Sequence, residues 1–253
     1  MFFDTHAHYD DERYDGDRDA LLGSMPESGV ELIVNAGSGV EASRRGLELA
    51  EKYPFIYASV GVHPHDAREM DEGSVPEMRR LLNNPKAVAV GEIGLDYHYD
   101  LSPREVQRER FREQMELAAE LHMPVIIHER EAFEDVLAIL ADYRAVTGVF
   151  HCFSGDWSAA KRLLDMGWML SFTGVITFKS ARASLETAAR VPIDRLMLET
   201  DAPYLSPEPV RGGRNDSRNL IHIARRLAEA RGAEIEALAE ATLRNGKKFF
   251  GIE

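Results

Sequence analysis

The chain lacks features typical of secreted, disulfide-bonded and membrane proteins. Its 253 residues include one cysteine, Cys152, which excludes an intrachain disulfide and a thiolate metal cluster and favours a reducing, cytoplasmic location. No run of about 18 apolar residues occurs. The N-terminus opens with MFFDTHAH, without a basic and then apolar leader segment. We therefore expect neither secretion nor membrane insertion.

Positive charge is also scarce. The chain has 30 Lys and Arg residues against 43 Asp and Glu residues, a formal net charge of -13. This charge repels a polyanion at long range and excludes a general nucleic-acid-coating protein. A nuclease is compatible with this negative net charge, because metal ions and a few arginines can concentrate positive charge at one site while the rest of the surface is acidic.

Short apolar runs rich in β-branched residues alternate with stretches of helical periodicity, a pattern typical of βα units and a parallel sheet. It predicts eight strands, at 1–5, 31–35, 56–60, 87–91, 124–128, 148–151, 168–172 and 195–199. No interdomain linker occurs, and no Gly-rich phosphate loop follows the first strand as it would in many open doubly wound sheets. The sequence therefore predicts an α/β fold, a TIM (β/α)8 barrel, as a single domain over residues 1–253 with an extra C-terminal helix.

Histidines and carboxylates cluster at the C-terminal ends of the predicted strands, which form the face that carries active sites in barrels. His6 and His8 are two residues apart, so both imidazoles leave an extended strand on the same side. A buried carboxylate is costly unless it is paired or bound to a metal, which favours a metal site over packing. The predicted metal ligands are His6, His8, Glu92, His128, His151 and Asp201.

This donor set has no thiolate and suits Zn²⁺, Mn²⁺ or, with water completing the coordination, Mg²⁺. We expect one or two divalent ions per chain. The residue types do not determine which of these metals binds. His63 and His65 follow the third strand on the same face. For His63 we favour a contact with substrate over a structural role, whereas for His65 both alternatives stay open.

Eight short motifs occur in order along the chain. They are FFDTHAH, VGVHPH, VGEIGLDY, PVIIHEREAFEDVL, GVFHCFSG, SFTGVITFK, RLMLETDAPYL and RGGRN. Each is weak evidence alone, but in this order and spacing they resemble the TatD family of metal-dependent deoxyribonucleases over essentially the whole chain.

The resemblance implies roles for individual residues. The implied ligands fall into two metal sites, with His6, His8 and Asp201 at the first and Glu92 as a bridge to the second, which His128 and His151 complete. His63 matches a family position near the substrate phosphate. Arg130 and Arg214 fall in motifs beside the site and are candidate phosphate contacts, the alternative being ordinary surface salt bridges. His65 completes the predicted substrate-binding set.

The chain departs from the family pattern at three positions. Glu129 follows the strand 5 histidine, where typical members have a small hydroxyl residue, and it adds negative charge near a bound phosphate. Gly213 occupies a position that is commonly basic. After RGGRN the family pattern commonly has an acidic residue and then proline; here Asp216 is acidic, but Ser217 stands in place of the proline. These departures bear on substrate preference and on the strength of phosphate binding.

The predicted function is hydrolysis of phosphodiester bonds in DNA, with Asp201 and Glu92 as catalytic residues. A bound metal lowers the pKa of its water toward ~7, and Asp201 is placed to orient or deprotonate that water. The resemblance alone implies 3′-to-5′ exonuclease action on single-stranded DNA. The expected partner is DNA and no membrane, and the expected state is a monomer or a weak homo-oligomer.

Two alternatives stay open. An amidohydrolase-type hydrolase of a small ester, lactone or amide would use the same barrel and a similar opening His-x-His, because fold does not decide function. Glu92 stands where many of those enzymes bridge their metals through a modified lysine, which favours the nuclease. A non-catalytic metal-binding scaffold is the alternative from another class.

Overall fold

The computed structural model describes residues 1–252 of the chain. Strands and α-helices alternate along it. The strands are β1 (Phe2–Ala7), β2 (Val30–Asn35), β3 (Ile56–Val60), β4 (Ala87–Asp96), β5 (Val125–Arg130), β6 (Gly148–Phe150), β7 (Met169–Phe172) and β8 (Leu196–Leu198). The α-helices are α1 (Arg18–Gly23), α2 (Val40–Lys52), α3 (Ser74–Leu81), α4 (Arg104–Leu121), α5 (Phe133–Leu140), α6 (Trp157–Asp165), α7 (Arg182–Arg190), α8 (Leu220–Arg231) and α9 (Ile235–Phe250).

The eight strands form one sheet ordered β1 to β8, with parallel pairing of β3 to β6 in succession and of β7 with β8. The residues fall into two compact units. The terminal unit comprises Met1–Val34 and the chain from His151 onward, and the central unit comprises Asn35–Phe150. The single domain expected from the sequence stays a prediction.

All eight strands predicted from the sequence are confirmed, but several of their ends differ. β1, β4 and β5 run further than predicted, to Ala7, Asp96 and Arg130, whereas β6 and β8 end one residue earlier, at Phe150 and Leu198. Polar side chains interrupt the apolar pattern near these ends, while the backbone pairing of β4 with β5 continues to Asp96 and Arg130. Apolarity therefore marks the middle of each strand better than its C-terminal end.

In the terminal unit, α9 packs against β1 and is the extra C-terminal helix that the sequence predicted. The ring centroids of Phe3 and Phe250 lie 5.8 Å apart. Gly246 allows this approach, because a Cβ there would lie 2.5 Å from the Phe3 ring. Close packing of this kind fixes β1, whose C-terminal end carries the first histidines.

In the central unit, α4 positions two loops through a pair of buried glutamines seven residues apart. The Gln107 side chain accepts the backbone N–H of Asp96 at 2.9 Å and donates to the Asp96 carbonyl at 3.1 Å. Gln114 likewise accepts from the N–H of Val62 at 2.7 Å and donates to its carbonyl at 3.1 Å. Two turns of one helix therefore satisfy the backbone at the ends of β4 and β3.

Among residues 1–252, every helix is too short or too polar to span a membrane.

Candidate metal centre

The polar residues that the sequence placed at strand ends gather in two clusters, one in each unit. The terminal cluster consists of His6, His8, His151, Glu199 and Asp201. The central cluster consists of His63, His65, Glu92, Asp96 and His128. Glu199 and Asp96 were not among the candidates drawn from the sequence.

Three donor atoms of the terminal cluster have the spacing of ligands around one cation. The Nε2 atoms of His6 and His8 lie 3.1 Å apart, and Asp201 Oδ1 lies 3.6 Å from the first and 3.4 Å from the second. Ligand atoms about 2.1 Å from a cation are separated by roughly 3.0 to 3.4 Å in octahedral or tetrahedral geometry. A single divalent ion therefore fits among these three atoms with little rearrangement.

Backbone hydrogen bonds bring these residues together. The Asp201 N–H donates to the His6 carbonyl at 2.9 Å, and the His8 N–H donates to the Ala202 carbonyl at 2.6 Å. The segment after β8 is thus fastened to the end of β1. Asp201 also has a φ of 56°, a left-handed conformation that costs a non-glycine residue about 1 to 2 kcal/mol. Such conformations concentrate at functional sites.

His151 and Glu199 extend the terminal cluster. The His151 ring stacks on His6 with centroids 4.1 Å apart, and His151 Nδ1 lies 3.3 Å from Glu199 Oε1. Donor atoms of His6, His151 and Glu199 lie within 4.8 Å of one another. Glu199 is only 1% exposed, and it stands two residues before Asp201 as His6 stands two before His8. That repeated spacing is the sequence signal that would have identified it.

The carboxylate of Asp201 keeps its charge despite burial. Burial alone would raise its pKa, but a hydrogen bond from His8 and the nearby imidazoles of His6 and His151 outweigh burial and hold the pKa below its usual range. An ionised carboxylate is the form that binds a cation or accepts a proton from water. Asp201 is therefore in the protonation state that either role requires.

In the central cluster, Glu92 lies between two histidines. Its Oε1 lies 2.8 Å from His128 Nδ1 and 3.3 Å from His63 Nε2. Donor atoms of these three residues lie within 4.8 Å of one another, and the rings of His63 and His128 have centroids 4.3 Å apart. The central unit thus brings two of the six predicted ligands, Glu92 and His128, into one group together with His63.

Asp96 contacts two histidines of the central cluster through one carboxylate oxygen. Its Oδ2 lies 2.9 Å from His65 Nε2 and 3.1 Å from His128 Nε2, while Oδ1 accepts the N–H of His98 at 3.0 Å and of Tyr99 at 2.8 Å. Burial raises its pKa, but the hydrogen bonds from His128 and His65 outweigh burial and hold the pKa well below its usual range. Carboxylates that orient metal-binding histidines in this way are common at metal sites.

His63 and His65 differ in their surroundings. Burial lowers the pKa of His63 to about 4, although Glu92 acts against this, so the imidazole is neutral near pH 7 and has a lone pair for a cation. His65 is partly exposed and contacts Asp96. The predicted substrate contacts of both histidines stay predictions.

The two candidate arginines are placed differently. Arg214 donates to both carboxylate oxygens of Asp17, at 2.8 and 2.6 Å, and its guanidinium lies 4.6 Å from the Tyr14 ring centroid. Arg130, at the end of β5, forms no ion pair with any residue of the described chain. Its guanidinium lies over the ring of Tyr99, 4.7 Å from the ring centroid. Both predicted phosphate contacts stay predictions.

The donor chemistry of both clusters fits a divalent metal ion. Imidazole nitrogens and carboxylate oxygens suit Zn²⁺, Mn²⁺ or Mg²⁺. Cys152 adds no thiolate, because burial raises the pKa of its thiol to about 12 and its Sγ lies 3.4 Å from Thr173 Oγ1. The choice of metal therefore rests with nitrogen and oxygen ligands alone.

Comparisons with known proteins agree over the whole chain. The family model of TatD-related DNases matches residues 3–251. The uncharacterized metal-dependent hydrolase YabD of Bacillus subtilis is 42% identical, over 100% of both chains. The 3′-5′ ssDNA/RNA exonuclease TatD of Pantoea ananatis is 35% identical, over 99% of both chains.

A solved structure supports the fold. The crystal structure of YjjV, a TatD homologue from Escherichia coli K12, superposes with a TM-score of 0.93 at 32% identity, covering 100% of this chain and 98% of the other. Together with the alternation of strands and helices in sequence order, this match confirms the predicted α/β fold class of the TIM (β/α)8 type.

Proposed function

Because the chain belongs to the TatD-related DNase family, we propose that it hydrolyses phosphodiester bonds of single-stranded DNA with one or two bound divalent metal ions. The family membership confirms the predicted enzyme class, a metal-dependent hydrolase. The observation on which the proposal depends most is the group of His6 Nε2, His8 Nε2 and Asp201 Oδ1, whose separations of 3.1 to 3.6 Å suit one cation.

The proposed ligands are those that the sequence predicted. They are His6, His8, Glu92, His128, His151 and Asp201. In the terminal unit the spacing of the first group supports this proposal. In the central unit the short distance between Glu92 and His128 supports it. Zn²⁺, Mn²⁺ and Mg²⁺ all remain candidates.

When bound, a divalent ion supplies Lewis-acid polarisation of water and of the phosphate oxygens. The residues of the chain would bind the ion, orient the water and accept its proton. His6 and His8 place their Nε2 atoms 3.1 Å apart at the end of β1. The ionised carboxylate of Asp201 orients the attacking water and accepts its proton at a carboxylate oxygen. Glu92, held beside His128 and His63, is the second proposed catalytic residue.

The polarity of digestion, the cellular location and the oligomeric state are also proposals. The Pantoea ananatis relative is named for 3′-to-5′ action on single-stranded DNA and RNA, which supports 3′-to-5′ trimming by this chain. We propose a cytoplasmic enzyme, in line with its single cysteine, that acts as a monomer or weak homo-oligomer.

The first test uses the metal-stripped protein and a 5′-labelled single-stranded oligonucleotide, with Mg²⁺, Mn²⁺ or Zn²⁺ added back. We expect labelled products that shorten from the 3′ end only when metal is present. Asp201→Asn should lower kcat by about 100-fold or more, because proton transfer and charge at the metal are both lost. Asp165→Asn, which changes an exposed aspartate at the end of α6, is the matched control and should leave kcat unchanged.

Absence of metal-dependent cleavage by the wild type, or equal rates for Asp201→Asn and wild type, would refute the proposal. A panel of esters, lactones and amides run in parallel identifies the amidohydrolase alternative. Metal binding without hydrolysis of any substrate identifies the scaffold.

A further inference from the structure

The loop between β4 and α4 exposes two large apolar side chains beside the central cluster. Tyr99 is 54% exposed and Leu101 is 51% exposed, and the loop follows directly after Asp96. Isolated exposed apolar residues are common, but an exposed pair in a loop at the C-terminal end of a strand suggests a binding surface. Neither side chain is used by the proposed metal chemistry.

Tyr99 is held in place by the central cluster. Its N–H donates to Asp96 Oδ1 at 2.8 Å, and its ring meets His65 edge to face, with centroids 5.4 Å apart. The Arg130 guanidinium lies over the ring, 4.7 Å from its centroid. An exposed aromatic ring fixed by its backbone and supported by a cation loses little conformational freedom when a ligand stacks on it.

Arg130 distinguishes this tyrosine from a comparable one in the terminal unit. Tyr204 also lies near a cluster histidine and under an arginine, with Arg13 4.2 Å from its ring centroid. Arg13, however, donates twice to the carboxylate of Asp11, each time at 3.0 Å, which neutralises its charge. Arg130 forms no ion pair within residues 1–252, so its guanidinium can pair with a phosphate without first breaking a salt bridge.

We propose that Tyr99 and Arg130 form a subsite for one nucleotide of a single-stranded nucleic acid, with the base stacked on Tyr99 and an adjoining phosphate on Arg130. This inference rests on the proposed function and adds the residue that recognises the base. A tyrosine face accepts every base, so the subsite favours unpaired nucleotides without selecting sequence. It also explains how a chain with a net charge of -13 holds a polyanion, because one stacked base and one local cation replace a broad basic surface.

The test compares Tyr99→Ala and Tyr99→Phe with wild type on two oligonucleotides of equal length, one normal and one with abasic nucleotides at its 3′ end. Fluorescence anisotropy measures Kd without metal, and cleavage with metal gives KM and kcat. For the normal strand we expect Tyr99→Ala to raise Kd and KM by roughly 5- to 150-fold, the range for loss of one stacked base. For the abasic strand, Tyr99→Ala should change Kd and KM little. Tyr99→Phe should bind and cleave both strands as wild type does.

Tyr57→Ala is the matched control, because Tyr57 near the start of β3 also lies under a cation, with Lys86 Nζ 4.1 Å from its ring centroid. Its Kd should equal that of wild type. The inference is wrong if Tyr99→Ala binds the normal strand as tightly as wild type, or if it weakens normal and abasic strands equally. If wild type cleaves neither strand, the proposed function fails, while the anisotropy titration still decides whether Tyr99 binds a base.

Discussion

At the scale of single residues, the charge of three buried aspartates, Asp4, Asp96 and Asp201, depends on the kind of hydrogen-bond donor around each. Asp4 accepts hydrogen bonds from Thr200 and Ser217, which are neutral, and burial raises its pKa to about 7. Asp201 and Asp96 face imidazoles instead, and their pKa values are lowered. The cationic form of an imidazole stabilises a carboxylate in a way that a hydroxyl does not. Asp201 and Asp96 are therefore ionised near pH 7, whereas Asp4 is only partly ionised there.

A prediction at this scale concerns Glu129, the negative charge next to His128. Its side chain accepts the N–H of Ala132 at 2.8 Å, and burial raises its pKa. Glu129→Gln keeps an oxygen acceptor and removes the charge. We expect KM for a single-stranded oligonucleotide to fall about 2- to 10-fold, since one repulsion of roughly 1 kcal/mol is lost. Glu186→Gln, an exposed residue of α7, should have no effect. An unchanged KM for Glu129→Gln would show that this carboxylate does not repel the substrate.

At the scale of elements, the pairing of β4 with β5 determines where the central cluster forms. Gly94 pairs with His128, has a φ of 143°, and a Cβ there would lie 2.0 Å from the His128 carbonyl oxygen. The two strands can approach this closely only because residue 94 has no side chain. The position of His128 therefore depends on a glycine two residues beyond Glu92.

The corresponding prediction is that Gly94→Ala destabilises the protein by about 3 to 5 kcal/mol, because it combines backbone strain with a clash against β5. Gly167→Ala is the control, since Gly167 has a φ of 89° but nothing within 4 Å of its added Cβ. For Gly167→Ala we expect the free energy of unfolding to fall by about 1 to 2 kcal/mol, from backbone strain alone. Urea unfolding measures both. Equal losses for the two variants would mean that the clash is relieved by movement elsewhere.

At the scale of the whole molecule, metal binding should couple to stability. A ligand that binds only the folded chain stabilises it by about 2.7 kcal/mol at 100 times its Kd. For a chain of this length we expect Tm to rise by roughly 5 to 10 °C when metal is added to the chelator-treated protein. Calorimetry with each candidate metal measures the shift, and His6→Ala should reduce it. His222→Ala, on α8, should retain it. Identical Tm values for wild type with and without every metal would contradict a resident metal ion.

The fold and much of the candidate site could be predicted because they depend on local sequence. Alternating apolar runs located all eight strands, and histidines or carboxylates just past those runs located the polar strand ends. The extra helix α9 followed from its own periodicity. The ends of several strands were predicted wrongly, because a buried polar residue such as Asp96 resembles a loop residue in sequence.

What the sequence determined by itself is therefore the order of the elements and the kinds of donor atom at their ends. The tertiary structure decided which donors meet. Glu199 joins His151 across 48 residues of sequence, and Asp96 joins His65 across 31 and His128 across 32. The physical reason is that contacts between strands depend on register and on close approach, as at Gly94, and neither is encoded in the composition of one strand.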